Sequence, residues 1–279
     1  MSLFVCPVCG GELQNDDGRY FCAKKHSFDM ASEGYVNLLT ADRRHSASPG
    51  DDRAMARARR DFLDKGYYDA LRQALCGEIT LRASPDGLVL LDAGCGEGYY
   101  TSGIRDALAA AGIPVRAAGI DISREILRAA ARRERRTAEN RIEYAVASSF
   151  HLPLASNSVD ILLDCFSPLA LDEFSRVLRR GGYFVYVVPA AGHLWELKRA
   201  VYDEPYKNAE KDTPYNGFDY NAVREVKTRI LLGSNEDIMA LFTMTPYFWR
   251  TPREGVERLK ALQTLETAAE FRIHIFKKR

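Results

Sequence analysis

Apolar residues along this chain follow two rhythms. From Leu88 onward, short continuous apolar runs alternate with stretches in which apolar residues recur every three or four positions. Continuous runs fit strands buried on both faces, and the longer period fits helices packed by one face. The pattern predicts strands over 88–92, 115–121, 142–147, 158–165 and 183–188, with helices over about 98–111, 123–136 and 170–179. Strand and helix in alternation predict right-handed crossovers and a parallel sheet covered on both faces, an α/β doubly wound fold. Beyond Pro189 the pattern predicts a helix near 192–203, a turn-rich stretch over 204–221, a strand over 223–232, helices near 235–243 and 253–262, and a final strand over 269–276.

Before Leu88 the rhythm is different. Residues 1–38 hold cysteines, glycines and short polar turns, with too little periodic apolar sequence for a core of their own, so they need a staple. Residues 39–84 begin polar and Arg-rich and become helical in period through Met55, Phe62, Leu71 and Leu75, until Ser84-Pro-Asp-Gly87 ends them. Three parts are expected: a zinc-binding module over 1–38, a linker with helices over 39–84, and the main domain over 85–279.

Composition narrows the partners. The 279 residues are 46% apolar, enough for a packed core, and 39 Lys and Arg against 38 Asp and Glu leave a net charge of +1. With no global field toward a polyanion, any nucleic-acid contact must use a local patch. No apolar run reaches the roughly 20 residues that span a bilayer, and no signal segment is evident, so a soluble cytoplasmic protein without membrane contact is expected.

The apolar run ending at Asp92 leads into Ala93-Gly94-Cys95-Gly96-Glu97-Gly98. Alternate glycines between strand and helix let backbone approach a ligand closely. A dinucleotide fingerprint needs a further glycine where Tyr99 stands, which disfavours a nicotinamide enzyme. The spacing instead resembles motif I of class I S-adenosylmethionine-dependent methyltransferases, whose fold is Rossmann-like. In that family a carboxylate ending the second strand takes the cofactor's ribose hydroxyls. Ala118-Gly-Ile-Asp121-Ile-Ser123 has this form. Ala147-Ser148-Ser149-Phe150-His151-Leu152-Pro153 aligns with the family's Asp-Ala-x-x-Leu-Pro, with Ser148 in place of the usual Asp, and Gly181-Gly182 precedes the next strand. A glycine turn alone could be only a tight turn; four features in order point to a cofactor site.

Cys6-Pro-Val-Cys9, Cys22 and His26 give C-x2-C, a twelve-residue gap and C-x3-H, the ligand spacing of a closed tetrahedral zinc site. Four protein ligands leave no open position, so a structural role is expected.

The stretch Cys22 to Leu39, with Asp29, Glu33, Tyr35 and Asn37, resembles the family of zinc-containing guanine-N1 methyltransferases of 23S ribosomal RNA. Pro49-Gly50-Asp51, Met55, Ala58 to Phe62, Gly66, Tyr68, the Gly94 to Tyr100 turn, Gly192-His193-Leu194 and Met244-Thr245-Pro246 continue the resemblance in order. It implies a hairpin loop of 23S rRNA as substrate, a zinc domain that helps hold it, and a homodimer. It also implies that Tyr68 and His193 join Gly96 and Glu97 around the cofactor.

The expected cofactor residues are therefore Tyr68, Asp92, Gly94, Gly96, Glu97, Gly98, Asp121, Ser148, Ser149 and His193. After the fourth strand the chain reads Asp164-Cys165-Phe166-Ser167-Pro168 rather than the motif of exocyclic-amine methylation, and Phe166 is a candidate to stack on the target base. No catalytic base is identifiable. Arg43, Arg44, Arg53, Arg57, Arg59, Arg60, Lys24 and Lys25 are candidates for phosphate contact, whereas Arg124 to Arg141 reads as a solvated outer helix face. Two alternatives stay open: a methyltransferase of a small molecule or protein with a merely structural zinc knuckle, and a non-catalytic RNA-binding protein that keeps the fold.

Overall fold

A computed structural model describes residues 1–16, 18–41, 53–134, 141–210 and 214–279. Its body is an eight-stranded sheet. The central strand β5 (Leu88–Ala93) is buried on both faces, as its unbroken apolar run requires. To one side lie β6 (Val115–Asp121), β7 (Glu143–Val146) and β4 (Tyr35–Asn37); to the other lie β8 (Val159–Cys165), β9 (Leu178–Pro189), β11 (Leu265–Lys278) and β10 (Phe218–Leu232). Strands β4 to β9 of this sheet pair in parallel. Connections leave β5 in opposite directions toward β6 and β8, a switch point whose carboxyl-end crevice is where such sheets bind ligands.

The expected all-parallel sheet is corrected at one end. β11 runs antiparallel to both β9 and β10. Its ladder with β10 is long, from Phe218 opposite Lys278 to Leu232 opposite Leu265. That pairing draws Phe218–Asn221 out of the stretch read as turns, and it lengthens the last two strands beyond their apolar cores. The helix expected over 192–203 is shorter, α6 (Trp195–Val201), because Leu194 has φ of 55° and begins it abruptly. Helices α1 (Arg53–Asp64), α2 (Asp69–Arg82), α3 (Tyr99–Ala110), α4 (Arg124–Glu134), α5 (Leu171–Val177), α7 (Asn235–Thr243) and α8 (Arg253–Ala261) complete the layers.

The N-terminal module is not a separate globule. β1 (Gln14–Asp16), β2 (Arg19–Phe21) and β3 (Ser27–Asp29) form a small antiparallel sheet, and β4 then joins the main sheet beside β7. Phe4, Leu13, Tyr20 and Val36 share one apolar cluster with Leu91, Ile120 and Leu154. The few apolar residues of this module thus serve a common core. Among the described residues no helix is long and apolar enough to cross a membrane.

Candidate active site

At the carboxyl end of β5 the chain turns through Gly94, Gly96 and Gly98, with φ of 86°, 55° and 78°, into α3. Left-handed backbone favours glycine, and at Gly94 space forbids anything larger: a Cβ would lie 2.4 Å from Cβ of Ser167.

Three carboxylates surround this turn. Asp92 is buried; its Oδ2 accepts the Thr101 hydroxyl at 2.5 Å, and its Oδ1 has no hydrogen-bond partner among the described residues. Glu97 is buried too, with the Arg133 guanidinium 3.7 Å from Oε1. Burial pushes both carboxyls up to about 7. Asp121, ending β6, accepts the Gly96 N–H at 3.1 Å and the Ser123 N–H at 2.8 Å, so backbone fixes its orientation. Desolvated carboxylates with an unpartnered oxygen suit a cationic ligand, and S-adenosylmethionine carries both a sulfonium and an ammonium group.

Two adjoining cavities meet over the turn. The inner one, about 40 Å³, is floored by Asp92, Gly94, Gly96 and Glu97. The outer one, about 370 Å³, is lined by Ser167, Tyr186, His193, Pro246 and Tyr247 among others. Arg59, Tyr68, Phe166 and Met244 line both. Residues far apart in sequence therefore form the wall between the glycine turn and the outer cavity. Tyr68 is buried edge-on against Phe62 and Phe271, with centroids 5.0 and 4.9 Å apart. The Nδ1 of His193 accepts the Glu270 N–H at 3.2 Å, and burial, followed by nearby Lys198, holds its pKa down to about 3. The ring is neutral and its proton sits on Nε2. Asp121, Gly98, Ser148 and Ser149 line neither cavity; the Ser148 hydroxyl instead accepts the Phe150 N–H at 3.2 Å.

Phe166 has φ of 61° and is 42% exposed, an unusual conformation for a bulky residue and one that places its ring at the junction. Behind it lies a group overlooked in the sequence. Asp164 is fully buried at the end of β8; its Oδ1 lies 2.9 Å from the Ser167 hydroxyl and accepts the Ser167 N–H at 3.1 Å, while Oδ2 has no partner among the described residues. Burial pushes its pKa up to about 7. The only signal in the sequence was its place before Cys165-Phe166-Ser167, which says nothing of its burial.

The Cys6, Cys9 and Cys22 sulfurs and a His26 nitrogen lie within 4.8 Å of one another. Cys9 and Cys22 sulfurs are 3.7 Å apart, and the Cys6 and Cys22 sulfurs each lie 3.4 Å from His26 Nδ1. Tetrahedral zinc with Zn–S of about 2.3 Å requires ligand separations of about 3.8 Å or slightly less, so the four donors fit the metal. Lys25, with φ of 67°, makes the second knuckle as Gly10 makes the first.

The charged residues divide. Arg53 and Arg57 are exposed, paired at 3.4 Å with Glu125 and Asp61, Arg59 lies in the cavity wall, and Arg43 and Arg44 fall outside the described residues, as do Pro49-Gly50-Asp51, Arg135 and Arg136. The reading of Arg124 to Arg141 as a solvated outer face holds at Arg124 and Arg132, which are exposed, and is corrected at Arg133 and Glu134. Arg132 pairs with Glu33 at 3.2 Å and Arg133 with Asp64 at 2.7 Å, because this side of α4 faces the N-terminal module and α1. Glu134 is buried against Arg105 at 2.8 Å.

A cation-seeking glycine turn at the switch point, beneath a separate aromatic cavity, calls for a cofactor with a transferable group beside a flat substrate: this is a class I S-adenosylmethionine-dependent methyltransferase. Residues 84–243 match the methyltransferase domain family model, and residues 4–47 match the N-terminal zinc ribbon of RlmA. The chain belongs to the zinc-ribbon family of 23S rRNA (guanine-N1)-methyltransferases. It is 32% identical to the 23S rRNA (guanine(748)-N(1))-methyltransferase of Streptomyces fradiae, over 92% of this chain and 90% of that one. A protein of Micromonospora griseorubida, provisionally named a 23S rRNA (guanine-N(1)-)-methyltransferase, is 34% identical over the same shares of the two chains. The YcgJ protein of Bacillus subtilis shares the fold, with a TM-score of 0.50 at 16% identity over 74% of this chain and 99% of that one.

Proposed function

We propose that this protein transfers a methyl group from S-adenosylmethionine to N1 of a guanine in a hairpin loop of 23S rRNA. One juxtaposition carries the reading: Tyr68, Phe166 and Met244 wall both the glycine-turn cavity and the larger aromatic cavity beside it. Bound S-adenosylmethionine supplies an electrophilic methyl group. Gly94, Gly96 and Gly98 would admit it close to backbone, Asp92 and Glu97 would balance its positive charge, and Asp121 would take its ribose hydroxyls. Ser148 and Ser149 would border the adenine, while Tyr68 and His193 would close the site. In-line positioning of the attacking nitrogen does most of the catalytic work.

Guanine N1 carries a proton that must leave. The Ser167 hydroxyl accepts it from the cavity wall while passing its own proton to Asp164 Oδ1, 2.9 Å away. Phe166 stacks on the base once it has left its own stack, which takes less free energy in a loop than in a duplex. Lys24, Lys25, Arg53, Arg57 and Arg60, with Arg43 and Arg44, contact phosphates, giving affinity that falls as salt rises. The working assembly is a homodimer in the cytoplasm.

The test is methyl transfer from labelled S-adenosylmethionine to unmodified large-subunit rRNA, with nuclease mapping of the product. A single 1-methylguanosine in a hairpin loop is expected. No label from zinc-loaded protein that binds the cofactor would move a small-molecule or protein substrate to first place, and full RNA activity of Phe166→Ala would remove the stacking role.

A further inference from the structure

Beside the outer cavity lies a second one of about 560 Å³, within the range of roughly 300–1,000 Å³ typical of small-ligand sites. The two share Tyr186, Val188, Pro189 and Asn208, so they form one continuous trough. Its floor is the sheet itself. β9 and β11 place Tyr186 opposite His274 and Val188 opposite Arg272, alternate residues that project from one face. Tyr186 and His274 rings stand 6.4 Å apart, and Tyr215 closes the far end against Phe276 at 5.2 Å.

Among the described residues no helix roofs this stretch. The roof is residues 205–210, which lack regular structure yet are firmly held. The Lys198 ammonium is fully buried and donates to the Tyr206 carbonyl at 3.1 Å and to Asn208 Oδ1 at 2.7 Å. Asn208 Nδ2 donates to the Ala190 carbonyl at 2.8 Å, and Glu210 accepts the Ala191 N–H at 2.8 Å. Burying an ammonium without a carboxylate partner is costly. Here it keeps the Tyr206 ring, half exposed, at the cavity edge with Lys198 Nζ 4.7 Å from its centroid. Across the cavity, buried Arg272 lies 3.7 Å from Glu210. A guanidinium donor beside a carboxylate acceptor matches the mixed donor and acceptor edge of a nucleobase better than it matches a phosphate, which the carboxylate would repel.

We propose that this second cavity holds the base of the nucleotide next to the target guanine in the same RNA loop, stacked on Tyr206 and bonded along one edge by Arg272 and Glu210. It rests on the guanine-methyltransferase reading and adds where the enzyme senses the target's neighbour. Sequence around the methylated guanine is then read by this pocket, and recognition of the guanine itself stays with the outer cavity.

The experiment uses the full zinc-loaded chain and rRNA hairpins with the intact loop, or with an abasic site on the 5′ or the 3′ side of the target. Base–aromatic stacking is worth about 1–3 kcal/mol, so Tyr206→Ala should raise KM for the intact hairpin by a factor of about 5 to 150. Glu210→Gln should act in the same direction, with kcat and S-adenosylmethionine affinity unchanged and Tyr206→Phe restoring wild-type KM. One of the two abasic hairpins should raise the wild-type KM by a similar factor, with no further rise in Tyr206→Ala. Wild-type KM in both variants, or full multiplication of the two penalties, overturns the pocket. A wild-type chain that methylates no guanine N1 in rRNA overturns the functional reading instead, and the pocket's assignment with it.

Discussion

At the residue scale, the site depends on positions where one atom too many, or one charge, changes the outcome. Gly94→Ala would add a Cβ within 2.4 Å of Ser167 and force a left-handed conformation on alanine. Overpacking costs about 1–3 kcal/mol and the backbone about 1–2 kcal/mol more. Calorimetric titration of that variant should find S-adenosylmethionine affinity reduced at least tenfold; unaltered affinity would mean that Ser167 moves aside without consequence. Asp164 sets a pH dependence. With its pKa pushed up to about 7, its proton-accepting form appears as pH rises through 7. Single-turnover methyl transfer should climb across that interval in the wild type, and Asp164→Asn should be slow and flat. A variant that keeps the wild-type slope removes Asp164 from the proton path.

At the scale of elements, the N-terminal module and the sheet stabilise each other. Zinc binding contributes roughly 10–16 kcal/mol to folding of small zinc-finger peptides, where the ligands have no structure without the metal. In this chain the consequence should spread beyond the knuckles, because β4 pairs with β7 and Phe4, Leu13 and Tyr20 fill the common core. Chelation should expose the amides of β2, β3 and β4 to hydrogen exchange and speed exchange along β7, while leaving β9 and β11 protected. Exchange confined to residues before Asp29 would show that the edge strand holds without the metal. α4 adds a second tie, through Arg132 to Glu33 and Arg133 to Asp64. These pairs are partly exposed and contribute little individually.

At the scale of the whole molecule, three buried carboxyls share one sign of linkage. Asp92, Glu97 and Asp164 are each pushed up to about 7 by burial, above their unfolded values near 4. Between those limits the folded chain binds more protons than the unfolded one, so stability falls as pH rises from about 4 to about 7. Thermal unfolding midpoints should therefore drop from pH 5 to pH 7.5. Saturating S-adenosylmethionine should restore much of the loss, since its positive charge favours ionised Asp92 and Glu97. A midpoint that does not fall with pH would place these carboxyls in better solvation than their burial implies. Assembly gives a separate expectation: sedimentation at micromolar concentration should report a dimer, and a monomer at every concentration would exclude the homodimer.

Much was legible in local pattern. Apolar runs placed β5, β6 and β8 within a residue or so because these strands are buried on both faces, and ligand spacing placed Cys6, Cys9, Cys22 and His26 around one point. Glycine spacing located the turn after β5 because left-handed backbone favours glycine there and, at Gly94, a Cβ would meet Ser167. The antiparallel end was not legible, since strand direction follows from how distant segments return to the sheet and leaves no mark on period. Nor was the union of Tyr68, Phe166 and Met244 in one wall legible without the resemblance, or the burial of Asp164 and Lys198 at all. By itself the sequence determined most elements from Leu88 onward, the four clustered metal donors and the glycine turn, because those depend on neighbours along the chain. Only the tertiary structure decided which carboxyls lose their water, which rings line the outer cavity and which ammonium holds the roof of the cavity beside it, because desolvation and enclosure depend on neighbours in space.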